Sequence, residues 1–305
     1  MNFDEIETFL SVVQHKNIAN AAIKLCIGQG TASARIQHIE QELGIQLFFR
    51  QKGIKSVTLT PEGEHFLLIA RQWLSLRQQA GQIKNLLIFK ELRVAAVDTL
   101  NQFHFVKIYR DFMDKNPDIQ FYLQTEHSSE IHQLIESQQI DLGFVFTLHK
   151  SPNVVATPLF REIPVIMYHK NSGFHHTHQI SDLLPENEIY PTYGDDYDLW
   201  HRRRFPKTDV RRISIGTFSM LRHFIDIPES WTILTQSLAN IMVQENEDLA
   251  YRILDDDPPP TRITYMLQYR YPKPWIGELS RLFLEDIVKM IKENPAMELL
   301  YGSPY

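Results

Sequence analysis

Between Gly28 and Gly44 the apolar residues Ala32, Ile36, Ile39 and Leu43 recur at steps of four, three and four. That is the spacing of one face of an α-helix, and such a stripe has to be covered. The opposite face carries Gly30, Ala34, Gln37, His38 and Gln41, flanked by Thr31 and Ser33. The flanking sequence supplies the cover. A helix is predicted from Asp4 to Lys16, with Ile6, Phe9, Leu10 and Val13 on one side. Asn17 or Asn20 can cap a short second helix over ANAAIKL. Cys26–Gly28 makes a tight connection, and Gly44 stands where a left-handed helix cap is expected. Strand-like LFFR, the turn QKGIK with Gly53, and strand-like VTL follow. Three helices, a tight turn before the third and a hairpin make a winged helix-turn-helix over residues 1–60.

"TPEGE" opens the next helix. Thr60 suits the N-cap, Pro61 the first helical position, and Glu62 and Glu64 the positive end of the dipole. Apolar residues then fall at Phe66, Ile69/Ala70, Trp73, Leu76, Ala80, Ile83 and Leu87, six steps in 21 residues. This 3.5-residue period is that of a coiled-coil seam. A linker helix over 61–90, about 45 Å long, is too long for the head to cover and is expected to pair with a second copy.

From residue 91 strands and helices alternate. ELRVAAV, FYLQTE and DLGFVF read as strands, with helices over 101–115 and 128–139. The unbroken apolar character of VAAV and FVF suits buried parallel strands. A second unit begins near 164, with VIMYH, EIYPTY, RISIG and WTILTQ as strands. One more strand, TRITYMLQY, and an amphipathic helix, IGELSRLFLEDIVKMIKE, follow DDDPPP. The predicted class is α/β with a winged-helix head. Lobe one takes 91–163 and 265–305, lobe two 164–264, with a cleft between them.

Charge is divided along the chain. Residues 1–90 hold ten Lys/Arg against seven Asp/Glu, a net of +3, whereas residues 91–305 carry −9. A basic head on an acidic body points to a polyanionic partner for the head, although chance variation gives the same counts. No apolar run reaches the length of a membrane span. A single cysteine, Cys26, excludes an internal disulfide, and the acidic MNFDEIETFL lacks a secretory n-region. The expected compartment is the cytoplasm, with no cofactor and no membrane partner.

The stretches "AAIKL", "GQGTASARIQHIEQELGIQLFFR" and "VTLTPEG" resemble the LysR-type transcriptional regulators. The block order agrees: head, linker helix, two lobes. Within the lobes "ELRVAAVDTL", "SSEIHQLIESQQIDLGFVF" and "PLFREIPVIMYHK" are similar to the family's first lobe, and 171–260 only faintly so. The resemblance implies a homodimer or homotetramer on double-stranded promoter DNA. It also implies lobes like those of periplasmic solute-binding proteins, a small-molecule effector between them, and consequences for RNA polymerase access.

The chemistry of the head fits that implication. Gln37 can bond adenine twice, His38 can donate or accept, and Ala34 and the Thr31 methyl can meet a thymine methyl. Ser33 and Gln29, near the helix start, can hold phosphate, helped by free backbone N–H groups, and Gly30 is a further position on the DNA-facing side. Arg35 is expected to reach the DNA backbone, and Arg50, Lys52 and Lys55, on or beside the wing, are positioned for phosphate or the minor groove. Three positions depart from the family's usual residues. Gly28 stands where Ser is frequent, Ala34 where Arg is frequent, and Gly30 where a small residue or Pro is frequent. These departures bear on the target sequence.

In the cleft, the loops at the carboxyl ends of strands offer Thr99, Asn101, Ser128 and Thr147, with Tyr193 and Thr217 closing from the second lobe. Hydroxyls and free N–H groups there suit a carboxylate or other anion; helix capping is the other reading of Thr99, Ser128 and Thr147. The last strand–helix unit, "DIPESWTILTQSLAN", lacks the Gly-rich turn frequent in the family. His175, His176 and His178 lack ligands at zinc-site spacing. Arg202–Arg204 with Arg211 and Arg212 can face an anion or pair with Asp195, Asp196 and Asp198. No catalytic motif is present. The competing class is a solute-binding or enzymatic α/β protein whose head mediates assembly.

Overall fold

The computed structural model describes residues 1–49, 57–82, 90–177, 183–191, 193–205, 213–254 and 257–302. Two compact units emerge, residues 1–90 with 133–140 and residues 91–132 with 141–305.

In the first unit α1 (Phe3–His15) opens with a capping box: Asn2 accepts the Glu5 N–H, and the Glu5 carboxylate accepts the Asn2 N–H. Asn17 caps α2 (Ile18–Lys24) by accepting the N–H groups of Ala19 and Asn20. Cys26, at φ 54°, ends that helix in a Schellman turn, with the Ile27 N–H on the Ala22 carbonyl at 3.0 Å. Helix α3 (Gln29–Leu43) runs from Gly28, which adds no side-chain cap, to Gly44 at φ 69°. Ala32, Ile36 and Ile39 are fully buried, while Leu43, expected in the same stripe, is 39% exposed because the helix leaves the core as it ends. Glu40 reaches forward to accept the Leu47 N–H at 2.9 Å, tying α3 to strand β1 (Phe48–Phe49). β1 pairs antiparallel with β2 (Thr58–Leu59). The wing tip, with Arg50, Lys52 and Lys55, lies outside the described residues.

Helix α4 (Pro61–Gln82) begins at Thr60, whose hydroxyl accepts the Gly63 N–H and donates to the Gln46 carbonyl. The seam expected along α4 is divided between two faces. Phe66 and Ala70 are buried in the head core with Phe9 and Phe48, and Trp73 packs against that core. Ile69 and Leu76 are 53% and 58% exposed. Periodicity alone does not tell which apolar face a helix gives to its own domain. Ile83 and Leu87 lie outside the described residues.

The second unit holds a six-stranded sheet. Its members are β3 (Lys90–Ala96), β4 (Ile119–Thr125), β5 (Leu142–Val145), β6 (Val154–Glu162), β12 (Arg262–Tyr269) and β13 (Met297–Leu299), in the order β13-β6-β12-β5-β3-β4. β3 and β5 run parallel, as their apolar runs predict. The helix expected over 101–115 is a π-helical turn, Leu100–His104, followed by α5 (Val106–Lys115). Helix α10 (Pro274–Glu293) and the first turns of α6 (Ser128–Glu136), up to residue 132, complete this lobe, and the rest of α6 groups with the first unit. Phe112, Phe121 and Tyr109 cluster with Phe283 of α10.

Lobe two is built on β7 (Pro164–His169), flanked by β10 (Trp231–Thr235) and β11 (Leu249–Ile253), both antiparallel to it. β8 (Ile189–Pro191) and β9 (Ile213–Ile215) form a parallel pair. Helices α7 (Gly173–Thr177), α8 (Asp195–Arg204) and α9 (Gln236–Glu245) join them. His201 and Glu188 form a buried pair at 2.6 Å. Ile163 alone separates β6 from β7, so the chain crosses between lobes there and returns between β11 and β12. Among the described residues no helix is long and apolar enough to cross a membrane.

Candidate functional site

On α3 the outer face is open. Gln29, Gly30, Thr31, Ala34, Gln37 and His38 are exposed, and Ser33 is half-buried. Without a side-chain cap from Gly28, the first N–H groups of the helix face outward with their partial positive charge. Two expected contacts are engaged within the head itself. The Arg35 guanidinium donates to the Asp4 carboxylate at 3.0 Å and to Thr8 Oγ1 at 3.2 Å, so it is held against α1. His38 Nδ1 lies 2.9 Å from Glu5 Oε1, and the Met1 amine joins the same cluster through Glu42. Gln37, between them on the helix, has an amide available to a partner in both directions of hydrogen bonding.

In the second unit, Thr99, Ser128, Thr147, Tyr193 and Thr217 line one cavity of about 360 Å³. Asn101, expected beside them, is a correction. Its amide donates to the Gln124 carbonyl and Thr125 Oγ1, both at 2.8 Å, and its oxygen accepts the Tyr109 hydroxyl at 2.5 Å. It locks the π-helical turn to β4 and is absent from the cavity wall. A second cavity of about 380 Å³ adjoins and shares Phe146, Thr147, Tyr193, Gly194 and Arg262 with the first.

Arg262 was not anticipated from sequence. It is the first residue of β12, and its guanidinium carbon lies 3.8 Å from the Phe146 ring centre and 4.1 Å from that of Tyr193. Burial pulls its pKa below the ordinary arginine value, against the opposing influence of Tyr193 and Glu162. Glu162 is its cross-strand partner in β6. Burial pushes the Glu162 carboxyl up to about 7, although the Ser237 hydroxyl hydrogen-bonds to it. The Ser237 hydroxyl donates to Glu162 and lies 3.3 Å from His104 Nε2, and burial draws His104 down to about 4. The only available signal for these residues was a lone Arg after a proline run, and their neighbours come from distant segments.

The pairs formed by the remaining clusters stand apart from the cavity that holds Thr99 and Thr217. Arg203 pairs with Asp257 at 2.6 Å, and Asp198 accepts the Tyr190 hydroxyl. Arg211, Arg212 and His178 lie outside the described residues. His175 packs on Tyr168.

Residues 3–64 match the bacterial regulatory helix-turn-helix protein, lysR family, and residues 89–282 match the LysR substrate binding domain. The chain belongs to the LysR family. Among LysR-family relatives, it is 27% identical over 211 residues to the transcriptional regulator YofA of Bacillus velezensis, covering 67% of this chain and 68% of YofA. It is 28% identical over 203 residues to the transcriptional regulator BenM of Acinetobacter baylyi, covering 63% of this chain and 65% of BenM. The LysR-family regulator CbnR, solved full-length with its target DNA, superposes with a TM-score of 0.62 at 20% identity, over 95% of this chain and all (100%) of CbnR. The chain therefore carries both LysR modules, a DNA-binding helix-turn-helix and an effector-binding substrate domain.

Proposed function

We propose that the protein is a cytoplasmic transcriptional regulator that reads double-stranded promoter DNA with α3 and responds to a small-molecule effector in the cleft. One observation carries this reading. Helix α3 buries Ala32, Ile36 and Ile39 completely while leaving Thr31, Ala34 and Gln37 open along its other side. A helix with that division fits the major groove, where Gln37, Ala34 and the Thr31 methyl meet base edges, Gln29 and Ser33 meet phosphate, and Gly30 lies beside them. Arg50, Lys52 and Lys55 follow as wing contacts. Arg35 and His38 take part only by exchanging their α1 partners for DNA.

Self-association uses the outer side of α4, where Ile69 and Leu76 stand one heptad apart and exposed. A homodimer, or a tetramer of two such pairs, sets the spacing of two reading helices. An effector that prefers one disposition of the lobes shifts the assembly toward it, in proportion to its differential affinity. RNA polymerase access then changes at the promoter. The protein acts by binding and catalyses no reaction.

The test is fluorescence anisotropy with DNA from upstream of the protein's own gene, at several fixed salt concentrations. A saturable, sequence-selective isotherm is expected. Gln37→Ala should reduce selectivity by about 1–3 kcal/mol, roughly 5- to 150-fold, with an unchanged salt slope. Binding indifferent to sequence in the wild-type protein would refute the reading and leave the head as an assembly module.

A further inference from the structure

We propose that Arg262 is the anchor for the effector, and that the effector is a small organic monocarboxylate with a compact apolar body. This deepens the reading of the cleft as an effector site and rests on it.

Arg262 stands where the two adjoining cavities meet and contributes to the wall of both. Its guanidinium is covered by aromatic rings at 3.8 Å and 4.1 Å, with Phe218 at 6.0 Å. Ring contact occupies the faces of a guanidinium, and the N–H donors at its edge beyond the one that approaches Tyr193 are placed for a partner in the plane. Among the described residues no carboxylate forms an ion pair with it. Glu162, across the strand, is turned to the Ser237 hydroxyl. Asp98, on the cavity wall, accepts the Ser219 N–H at 2.9 Å. A half-buried cation in this setting is stabilised only in part by ring contacts. An anion entering the cavity completes the arrangement.

The rest of the wall narrows the chemistry. A single guanidinium fork matches one planar carboxylate in two parallel hydrogen bonds. Glu162, close enough to influence Arg262 electrostatically, disfavours a second negative charge on the ligand. Phe146, Tyr193 and Phe218 offer apolar surface beside the fork, and Thr99, Ser128 and Thr147 offer hydroxyls further along. A cavity of about 360 Å³, adjoined by one of about 380 Å³, has room for a small organic acid.

The test is a thermal-shift and calorimetric series on the full-length protein at constant ionic strength and pH 7.5. The probes are sodium butyrate, benzoate and 3-phenylpropionate, each beside its neutral primary amide. At least one carboxylate should raise the Tm of the wild-type protein and bind at least tenfold more tightly than its amide. Arg262→Gln should weaken that carboxylate at least tenfold while retaining a native near-UV spectrum. Arg262→Lys, which keeps the charge and loses the fork, guards against a folding failure of the first variant; it should bind at least threefold more weakly than wild type. Undiminished carboxylate binding in either variant overturns the proposal, as does the absence of any carboxylate effect on wild type. An amide that stabilises wild type and Arg262→Gln equally removes the anchor and leaves the effector cleft standing. If no compound of either kind stabilises wild type, the cleft reading falls as well.

Discussion

A Cβ placed on Gly63 would fall 2.1 Å from the carbonyl oxygen of Leu47. That same oxygen accepts the Thr60 N–H at 3.0 Å, so the strand before the wing and the start of α4 meet at one point. Only glycine permits so close an approach of two backbones. Gly63→Ala should therefore destabilise the head by about 1–3 kcal/mol or more, read as a lowered urea midpoint by circular dichroism. An unchanged midpoint would mean that α4 shifts without loss.

Arg35 is held by Asp4 through a partly exposed ion pair, which contributes about 0.2–1 kcal/mol to stability. Asp4→Ala should release the guanidinium toward the DNA backbone at that small cost. Log affinity against log salt should then steepen by about 0.9, one additional phosphate contact, and binding at low salt should tighten. Anisotropy titrations across a range of KCl concentrations measure this directly. An identical slope in the variant would show that Arg35 stays off the phosphates.

The Glu162–Ser237–His104 cluster predicts a compensated pH response. Glu162, raised from 4.5 to about 7, keeps a proton in the fold that the unfolded chain releases above pH 4.5. His104, lowered from 6.5 to about 4, stays neutral in the fold where the unfolded chain takes up a proton below pH 6.5. The stability linked to Glu162 is present at low pH and is lost as pH rises toward 7. That linked to His104 is present above pH 6.5 and is lost as pH falls toward 4. Between pH 4.5 and 6.5 the two slopes oppose each other. Glu162→Gln should gain on wild type as pH rises, by about 1.4 kcal/mol per unit and ~3 kcal/mol in all. His104→Asn should gain as pH falls. Urea midpoints from pH 4 to 8 test both, and parallel curves for all three proteins would contradict the prediction.

On α4, Leu76→Glu should weaken self-association at least tenfold, about 1.4 kcal/mol or more, with little effect on the folding of the head. Trp73→Glu should instead unsettle the head, because Trp73 packs on the cluster around Phe9 and Phe66. Sedimentation velocity and thermal melts separate the two effects. Equal loss of assembly in both variants, without any change in melting, would return the seam to Trp73.

The head was largely legible because its signals are local. The stripe Ala32, Ile36, Ile39 is set by helical period, and Gly28, Gly44 and Thr60 bracket their helices through their own backbone chemistry. Long-range choices were not legible in this way. The division of α4 depends on which side the head core takes. Strand β6 was hidden by Pro158, which the sheet accommodates where the pairing slips between Thr264 and Tyr265. Strand β13 is three residues long and pairs with β6 across most of the second unit. The cleft hydroxyls followed from the rule that loops gather at strand ends. Asn101 obeyed the same rule, but its amide is occupied by the Gln124 carbonyl and the Thr125 hydroxyl. Arg262 gave no motif because its aromatic partners, Phe146, Tyr193 and Phe218, come from three separate segments.

The single-residue passage at Ile163 has a mechanical corollary. Glu162 and Arg262 face each other at the two places where the chain threads from lobe to lobe, and Pro164 restricts rotation at the first. Any swing of one lobe against the other must turn about that fulcrum. Groups at a fulcrum travel least and groups at the jaw travel most. A ligand gripped at Arg262 would thus keep its hold throughout the swing, and the preference for one posture would be written at the rim, by residues such as Ser128 and Thr217.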